Sequence, residues 1–358
     1  MKITIVVGTR PEIIKMSPII RECEKRDLDN FILHTGQHYS YNMDKVFFEQ
    51  LELPEPCYNL DVGSSSHGEQ TGKMLIGIEE ILIKENPDVV LVEGDTNTVV
   101  AGALTATKLH IKVGHVESGL RSYDRSMPEE INRVVADHVS DFLFAPTENS
   151  KQILLNEGID QEKIFITGNT IVDSVYQNLK LAEKKGNILD EFDLKQNEYF
   201  LVTTHRQENV DNKECFQSIL QSLIQIQDIY DLPVVYPIHP RSLKMMGKYG
   251  IKIEGLRLIE PVDFLSFLQL EKNARLVLTD SGGVQEETCI MGKPCVTLRE
   301  NTERPETIEV GSNILAGTDP DRIVDGISLM LKNNKEWNQP FGDGKTSEKL
   351  IDILVDYF

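Results

Sequence analysis

From Ile3 to Ala316 the chain alternates short β-branched apolar runs with longer stretches of helical periodicity. The first half carries "ITIVV", "FILHT", "VVLVE", "IKVGHV", "FLFA" and "KIFIT"; the second carries "YFLVTT", "PVVYPI", "RLVLT", "PCVTL" and "NILA". Continuous apolar strands separated by helices imply parallel sheets covered on both faces, hence an α/β fold. At 358 residues and 40% hydrophobic, the chain is long enough for two domains. The charged, weakly patterned stretch "KKGNILDEFDLKQNE", 184–198, puts the junction near Thr170 and opens the second domain. "VVLVEGDTNTVVAGALTATKLHIKVGHVE" and "ARLVLTDSGGVQEETCIMGKPCVTLRE" share one plan of strand, Asp-Thr or Asp-Ser turn, helix, strand and glutamate. That echo reads either as two similar doubly wound halves, each offering strand ends to a ligand, or as the general likeness of any two such units.

With 37 basic against 57 acidic residues, a formal charge of −20, a broad nucleic-acid or anionic-membrane surface is not expected. A small anion remains compatible, because local donors outweigh a distant, screened charge. Five cysteines without a CxxC pair read as reduced thiols, which suggests the cytoplasm. The apolar run Ile3–Val7 is too short for a signal peptide and reads as a first strand. No apolar stretch approaches the roughly 18 residues of a membrane span. No metal is expected, since ligand spacing such as HxxxH is missing.

Two stretches have the form of an anion cradle. In "GTRPEIIK", Gly8 permits a tight turn and Pro11 suits a helix start, so helix N–H groups would lie beside Arg10, with Lys15 one turn on. The alternative is a solvated helix start. In "LTDSGGVQEE", Ser281 is an expected N-cap, and Gly282 and Gly283 let a ligand approach the backbone closely. Glu286 and Glu287 lie about 100° apart, so only one is expected to face a ligand, where it would accept both ribose hydroxyls. The alternative is glycines for helix–sheet packing beside solvated glutamates. "GSSSHGEQT" has Glu69 where a P-loop needs lysine, and no GxGxxG follows a strand, so neither NTP nor dinucleotide motifs apply. Carboxylates and bases gather at strand ends: Asp95, Glu117, His205, His239 and Arg304, with Glu129 and Arg133 four apart on one helix face.

In these residues the chain resembles, over its whole length, the non-hydrolysing UDP-N-acetylglucosamine 2-epimerases. "GTRPEIIK", "VVLVEGDT", "VGHVESGLRS", "MPEEINR", "FITGNTIVD", "LTDSGGVQEE" and "TERPET" occur in that family's order. The resemblance implies GT-B architecture: two Rossmann-like domains, 1–170 and 171–343, about a cleft that holds the active site, with 344–358 returning to the first domain. It implies C-2 epimerisation of UDP-GlcNAc to UDP-ManNAc, supplying ManNAc-type sugars for surface polysaccharide or glycan, without cofactor or metal, in a homodimer. Asp95, Glu117 and Glu129 match the family's proton-transfer carboxylates and Arg133 their partner. Arg10, Lys15, His205, Ser281, Gly282 and Gly283 match diphosphate positions, Glu287 the ribose site, Phe267 the uridine site, and Arg304 a place near sugar or phosphate. A hydrolysing epimerase and a GT-B glycosyltransferase are the alternatives. A non-catalytic sensor would not need three such carboxylates. The chain departs from the pattern of many bacterial members at "GQHYSYNMD" and "HGEQTGKM", where a second, activating substrate site would lie, and at Gln207 in "THRQEN".

Overall fold

A computed structural model describes residues 1–37, 41–251, 255–332 and 336–358, with the backbone alone over 41–44. Much of "GQHYSYNMD", including His38–Ser40, therefore lies outside the described residues. The chain divides into two units, Met1–Gln177 with Phe341–Phe358, and Asn178–Pro340. The division falls inside the helix Thr170–Lys185, rather than at its start near Thr170. All five cysteines are free. Among the described residues no helix is long and apolar enough to cross a membrane.

The first unit is built on strands β1 (Lys2–Val7), β2 (Asp29–His34), β3 (Tyr58–Asn59), β4 (Val89–Glu93), β5 (Lys112–Val116), β6 (Phe142–Ala145) and β7 (Ile164–Ile166). They form one parallel sheet in the order β3-β2-β1-β4-β5-β6-β7. The apolar runs are buried on both sides, as continuous hydrophobicity requires: Val6, Leu33, Val90, Val92 and Val113 pack with Met74 and Ile78 of the helix His67–Glu85 and with Val99 of the helix Asn97–Lys108. Gly8, just past β1, sits where the chain runs against its neighbours. A Cβ there would stand 2.1 Å from Thr98 Oγ1 and 2.2 Å from Thr35 Oγ1, so no larger residue fits.

The last helix, Thr346–Tyr357, completes this unit. Asp173, buried in the "FITGNTIVD" stretch, accepts from the amides of Thr346 at 3.1 Å and Ser347 at 2.9 Å and from Ser347 Oγ at 2.7 Å. Those are donors the helix start leaves unpaired. Arg26 bonds Asp352 at 2.6 Å, and Tyr357 meets Phe142 edge to face at 4.8 Å.

The second unit carries β8 (Phe200–Thr203), β9 (Val234–Pro237), β10 (Arg257–Ile259), β11 (Leu276–Thr279), β12 (Cys295–Thr297) and β13 (Asn313–Leu315), parallel, in the order β10-β9-β8-β11-β12-β13. In each unit the strand order reverses beside the first strand, opening a crevice at strand C-terminal ends. The segment echo has a structural basis: β4-helix-β5 and β11-helix-β12 are the fourth and fifth strands of their sheets in chain order. The stretch 184–198 is less irregular than its composition implies. It holds a one-turn helix, Ile188–Glu191, and buries Ile188, Leu189 and Leu194 against Tyr199 and Leu270.

Candidate functional site

In the first unit, Asp95 and Glu117 stand past the C-terminal ends of β4 and β5, which pair side by side with Glu93 opposite Val116. Three groups hold the Gly94–Asp95 turn. His115 Nε2 donates to the Gly94 carbonyl at 2.8 Å, Asn132 donates to the Asp95 carbonyl at 3.0 Å, and Arg133 forms an ion pair with the Asp95 carboxylate. Burial alone would lower the basicity of His115, but Asp137 at 2.7 Å and the Gly94 carbonyl raise it above the ordinary histidine value. Arg133 also bonds Glu130 at 3.0 Å. The helix Pro128–Val139 thus pairs Arg133 three residues back with buried Glu130, not four back with Glu129, whose side chain is exposed in the first turn.

Glu117 takes a left-handed backbone, φ 66°, uncommon for a residue with a Cβ. Its buried carboxylate is ion-paired with Lys15, whose ammonium also lies 3.2 Å from Glu93. Lys15, matched by resemblance to the diphosphate, therefore has its charge on two carboxylates.

At the first anion cradle read from sequence, a side chain of the protein takes two of the backbone amides that precede the helix. Glu12, buried three residues after Thr9, accepts from the Thr9 amide at 3.0 Å and from the Gly8 amide, and Thr96 Oγ1 donates to it. This is the carboxylate arm of a capping box, and it claims the Gly8 and Thr9 amides. Burial pushes the Glu12 carboxyl up to about 7 against these hydrogen bonds. "TRPE" carries the T-x-x-E signal that announces this cap. Arg10 lies with its guanidinium 4.9 Å from the Phe47 ring centre.

In the second unit, a pocket of about 240 Å³ opens among Thr203, His205, Pro237, His239, Phe267 and Ser281. His205 follows β8, and its amide donates to Asp280 at 3.0 Å. Asp280, fully buried, also accepts from Thr204 Oγ1 at 2.7 Å, the Arg206 amide at 2.9 Å and Asn209 at 3.1 Å. Burial works to raise its pKa, yet His205 and these donors hold it below the ordinary value. The His205 and His239 rings stand 5.4 Å apart. Burial and then His205 lower the basicity of His239, whose Nδ1 accepts from the Arg241 amide at 3.1 Å.

Beside this pocket the helix Gly282–Ile290 begins with no side-chain cap, since the Ser281 side chain makes no capping bond. A Cβ at Gly282 would find its nearest neighbour 3.8 Å away, and one at Gly283 3.9 Å away, and neither glycine needs a positive φ. The folded protein leaves room for a side chain at both, so helix–sheet packing does not explain the glycines. Neither glutamate is solvated: Glu286 is ion-paired with Arg304 at 2.8 Å, and Glu287 faces fully buried Glu271 on the helix Phe264–Asn273. Burial, then Glu287, raises Glu271 well above the carboxylate range.

The sequence reading did not single out Glu93, Glu12, Glu271, Pro261 or Val262. The last two line the pocket, following β10. No group of three or more His, Cys, Asp or Glu among the described residues is placed to hold a metal ion.

Two Rossmann-type sheets, one with cation-paired carboxylates at its strand ends and one with a pocket beside an uncapped Ser-Gly-Gly helix start, define a two-Rossmann protein of the GT-B class. The family model for UDP-N-acetylglucosamine 2-epimerase matches residues 21–355, and the chain belongs to that family. It is 57% identical over 362 residues to the UDP-N-acetylglucosamine 2-epimerase of Methanocaldococcus jannaschii, covering 99% of each. To that of Methanococcus maripaludis it is 56% identical over 360 residues, covering 99% of this chain and 98% of the other. Among solved structures, the M. jannaschii UDP-GlcNAc 2-epimerase in complex with UDP-GlcNAc and UDP is similar with TM-score 0.87 at 57% identity, covering 99% of this chain and 100% of that one.

Proposed function

We propose that this chain interconverts UDP-N-acetylglucosamine and UDP-N-acetylmannosamine by inverting carbon 2 of the sugar. Carbon 2 has no adjacent carbonyl, so its hydrogen is not acidic until the anomeric C–O bond gives way. That bond breaks with its electron pair leaving on UDP, and the oxocarbenium-like centre acidifies the C-2 hydrogen. A carboxylate takes the proton, and the C–H pair becomes the C1=C2 bond of a glycal. Protonation of C-2 from the other face and re-addition of UDP give the epimer. The route needs donors for the leaving diphosphate and carboxylates able to exchange a proton at C-2.

The observation that carries the reading is the pair Asp95 and Glu117, at the ends of adjacent strands, each held on its own cation, Arg133 and Lys15. We assign proton transfer to these two, with Glu129 as the third carboxylate. The Ser281–Gly283 amides, His205 and Arg10 would receive the diphosphate, Phe267 the uridine, Glu287 the ribose and Arg304 the sugar or its phosphate. The mechanism uses no nicotinamide and no metal. The relatives named for this activity support the same reading. We infer a cytoplasmic homodimer as well, for which sedimentation at twice the 40.5 kDa chain mass is the test.

Proton NMR of the purified protein with UDP-GlcNAc in D₂O, without added metal or NAD, tests the chemistry. UDP-ManNAc carrying deuterium at C-2, with nucleotide conserved, is the expected result. Free ManNAc with stoichiometric UDP would mean a hydrolysing enzyme, and a C-2 hydrogen that never exchanges would overturn the mechanism.

A further inference from the structure

The turns that carry Asp95 and Glu117 contain three residues with a left-handed backbone, Gly94 at φ 84°, Glu117 at 66° and Gly119 at 79°. For a residue with a Cβ such a backbone persists only where its surroundings fix it. The contacts that fix these turns converge on Asp137, in the helix Pro128–Val139. One of its carboxylate oxygens lies 2.7 Å from His115 Nδ1, and the other accepts from the Gly119 amide at 3.2 Å. On the far side of the ring, His115 Nε2 meets the Gly94 carbonyl at 2.8 Å, while the Gly94 amide donates to the Val116 carbonyl at 3.2 Å. The turn before Asp95 is thus tied to β5 twice, and the turn after Glu117 is tied to the same carboxylate.

The protonation state of His115 follows from its partners. A backbone carbonyl can only accept, so Nε2 carries a hydrogen. Asp137 also stands 2.7 Å from the Arg121 guanidinium, which keeps it a carboxylate, so Nδ1 carries a hydrogen as well. His115 is therefore an imidazolium, with no exposed surface. The charged groups that face it are Asp137 from the helix Pro128–Val139 and Arg121 from the segment after β5. The charges balance, because His115 and Arg121 are matched by Asp137 and by Glu157, which pairs with Arg121 at 2.6 Å. A buried pair satisfied in this way holds its geometry, since moving either partner strands the other charge.

We propose that His115 and Asp137 are positioning residues shared by both proton-transfer carboxylates: the imidazolium sets the Gly94–Asp95 turn through the Gly94 carbonyl, and Asp137 sets the turn after Glu117 through the Gly119 amide. One buried ion pair then fixes the spacing of Asp95 and Glu117 about the sugar. The pair exchanges no proton with the substrate, and both ring hydrogens stay on His115 throughout. Its worth lies in placement, since a shift of about 1 Å in a reacting group can cost on the order of a hundredfold in rate.

The inference rests on the assignment of Asp95 and Glu117 to proton transfer, and its test keeps the two apart. On the natural full-length chain, NMR of the ring nitrogens in histidine-labelled protein, with His115 assigned through its backbone, is expected to show both nitrogens protonated from about pH 6 to about pH 9. A single ring hydrogen in that range would overturn the ion pair, and this arm needs no variant to fold. Asp137→Ala and Asp137→Asn are then compared with the natural chain for kcat, KM, C-2 deuterium exchange, UDP affinity and thermal melting. Asp137→Ala is expected to lower kcat about tenfold or more, with KM and UDP affinity within a few-fold, the pattern of a defect in the chemical step. Asp137→Asn still accepts from the Gly119 amide and bonds a neutral His115 ring, so it is expected to recover most of that rate. A native kcat in Asp137→Ala, a loss confined to KM, or an Asp137→Asn chain as slow as Asp137→Ala would overturn the positioning role. Native C-2 exchange in both Asp95→Asn and Glu117→Gln would instead remove the assignment beneath it.

Discussion

Gly282 and Gly8 are both glycines beside a helix start, yet they are glycine for different reasons. Gly8 is hemmed in by Thr98 and Thr35, while a Cβ at Gly282 would come no closer than 3.8 Å to any neighbour. For Gly282→Ala the melting temperature is expected to hold or rise slightly, because alanine is the better helix former by up to about 1 kcal/mol. Affinity for UDP, measured by calorimetry, is expected to fall about tenfold or more, since the new methyl occupies the approach to the bare amides. Unchanged UDP affinity would remove that helix start from the site. Residue chemistry of this kind was partly legible in advance. Asp95, Glu117, His205 and Ser281 announced themselves because they follow apolar strands, where an α/β fold places its ligands. Glu93 and Glu271 did not, because a carboxylate inside an apolar run, or one helical turn past Phe267, reads as a solvated position until neighbours are known. Glu12 was legible through "TRPE". The same carboxyl takes the Gly8 and Thr9 amides beside the predicted anion cradle.

The elements were legible where they are long and buried on both faces, and less so at the sheet margins. Eleven apolar runs correspond to eleven strands, whereas β3, two residues long, and β10, three residues long, lie at the outer edges of their sheets. An edge strand pairs on one side only and needs little apolar sequence to do so. Missing β10 had a cost for the site, because Pro261 and Val262 come after it and wall the pocket. The buried start of the last helix has three of its donors on one distant side chain, Asp173. Replacing Asp173 with alanine leaves two amides and a hydroxyl at its buried start without an acceptor. The expected loss is about 2–4 kcal/mol in urea titration, with proteolytic sensitivity rising first over 341–358. An unaltered midpoint would mean that water serves those donors equally well.

Stability of the molecule as a whole carries the imprint of Glu12. Its carboxyl is raised from 4.5 to about 7 by burial, so between those values the folded chain holds a proton that the unfolded chain has released. Folding stability from this group therefore falls as pH rises through that window, by on the order of 3 kcal/mol. In Glu12→Gln the group cannot titrate, and the variant is expected to gain on the natural chain between pH 5 and pH 8 in parallel denaturant titrations. Parallel curves at both pH values would place the Glu12 proton elsewhere.

The first unit is assembled from both ends of the chain, Met1–Gln177 and Phe341–Phe358, with all of Asn178–Pro340 between them. A ribosome releases those parts in order. The first sheet leaves it with the Asp173 carboxylate still waiting for Thr346 and Ser347, and the second unit can finish folding before that partner exists. Translation thus closes the first unit last, and a stalled or prematurely ended message yields a complete second sheet attached to an unsealed first one.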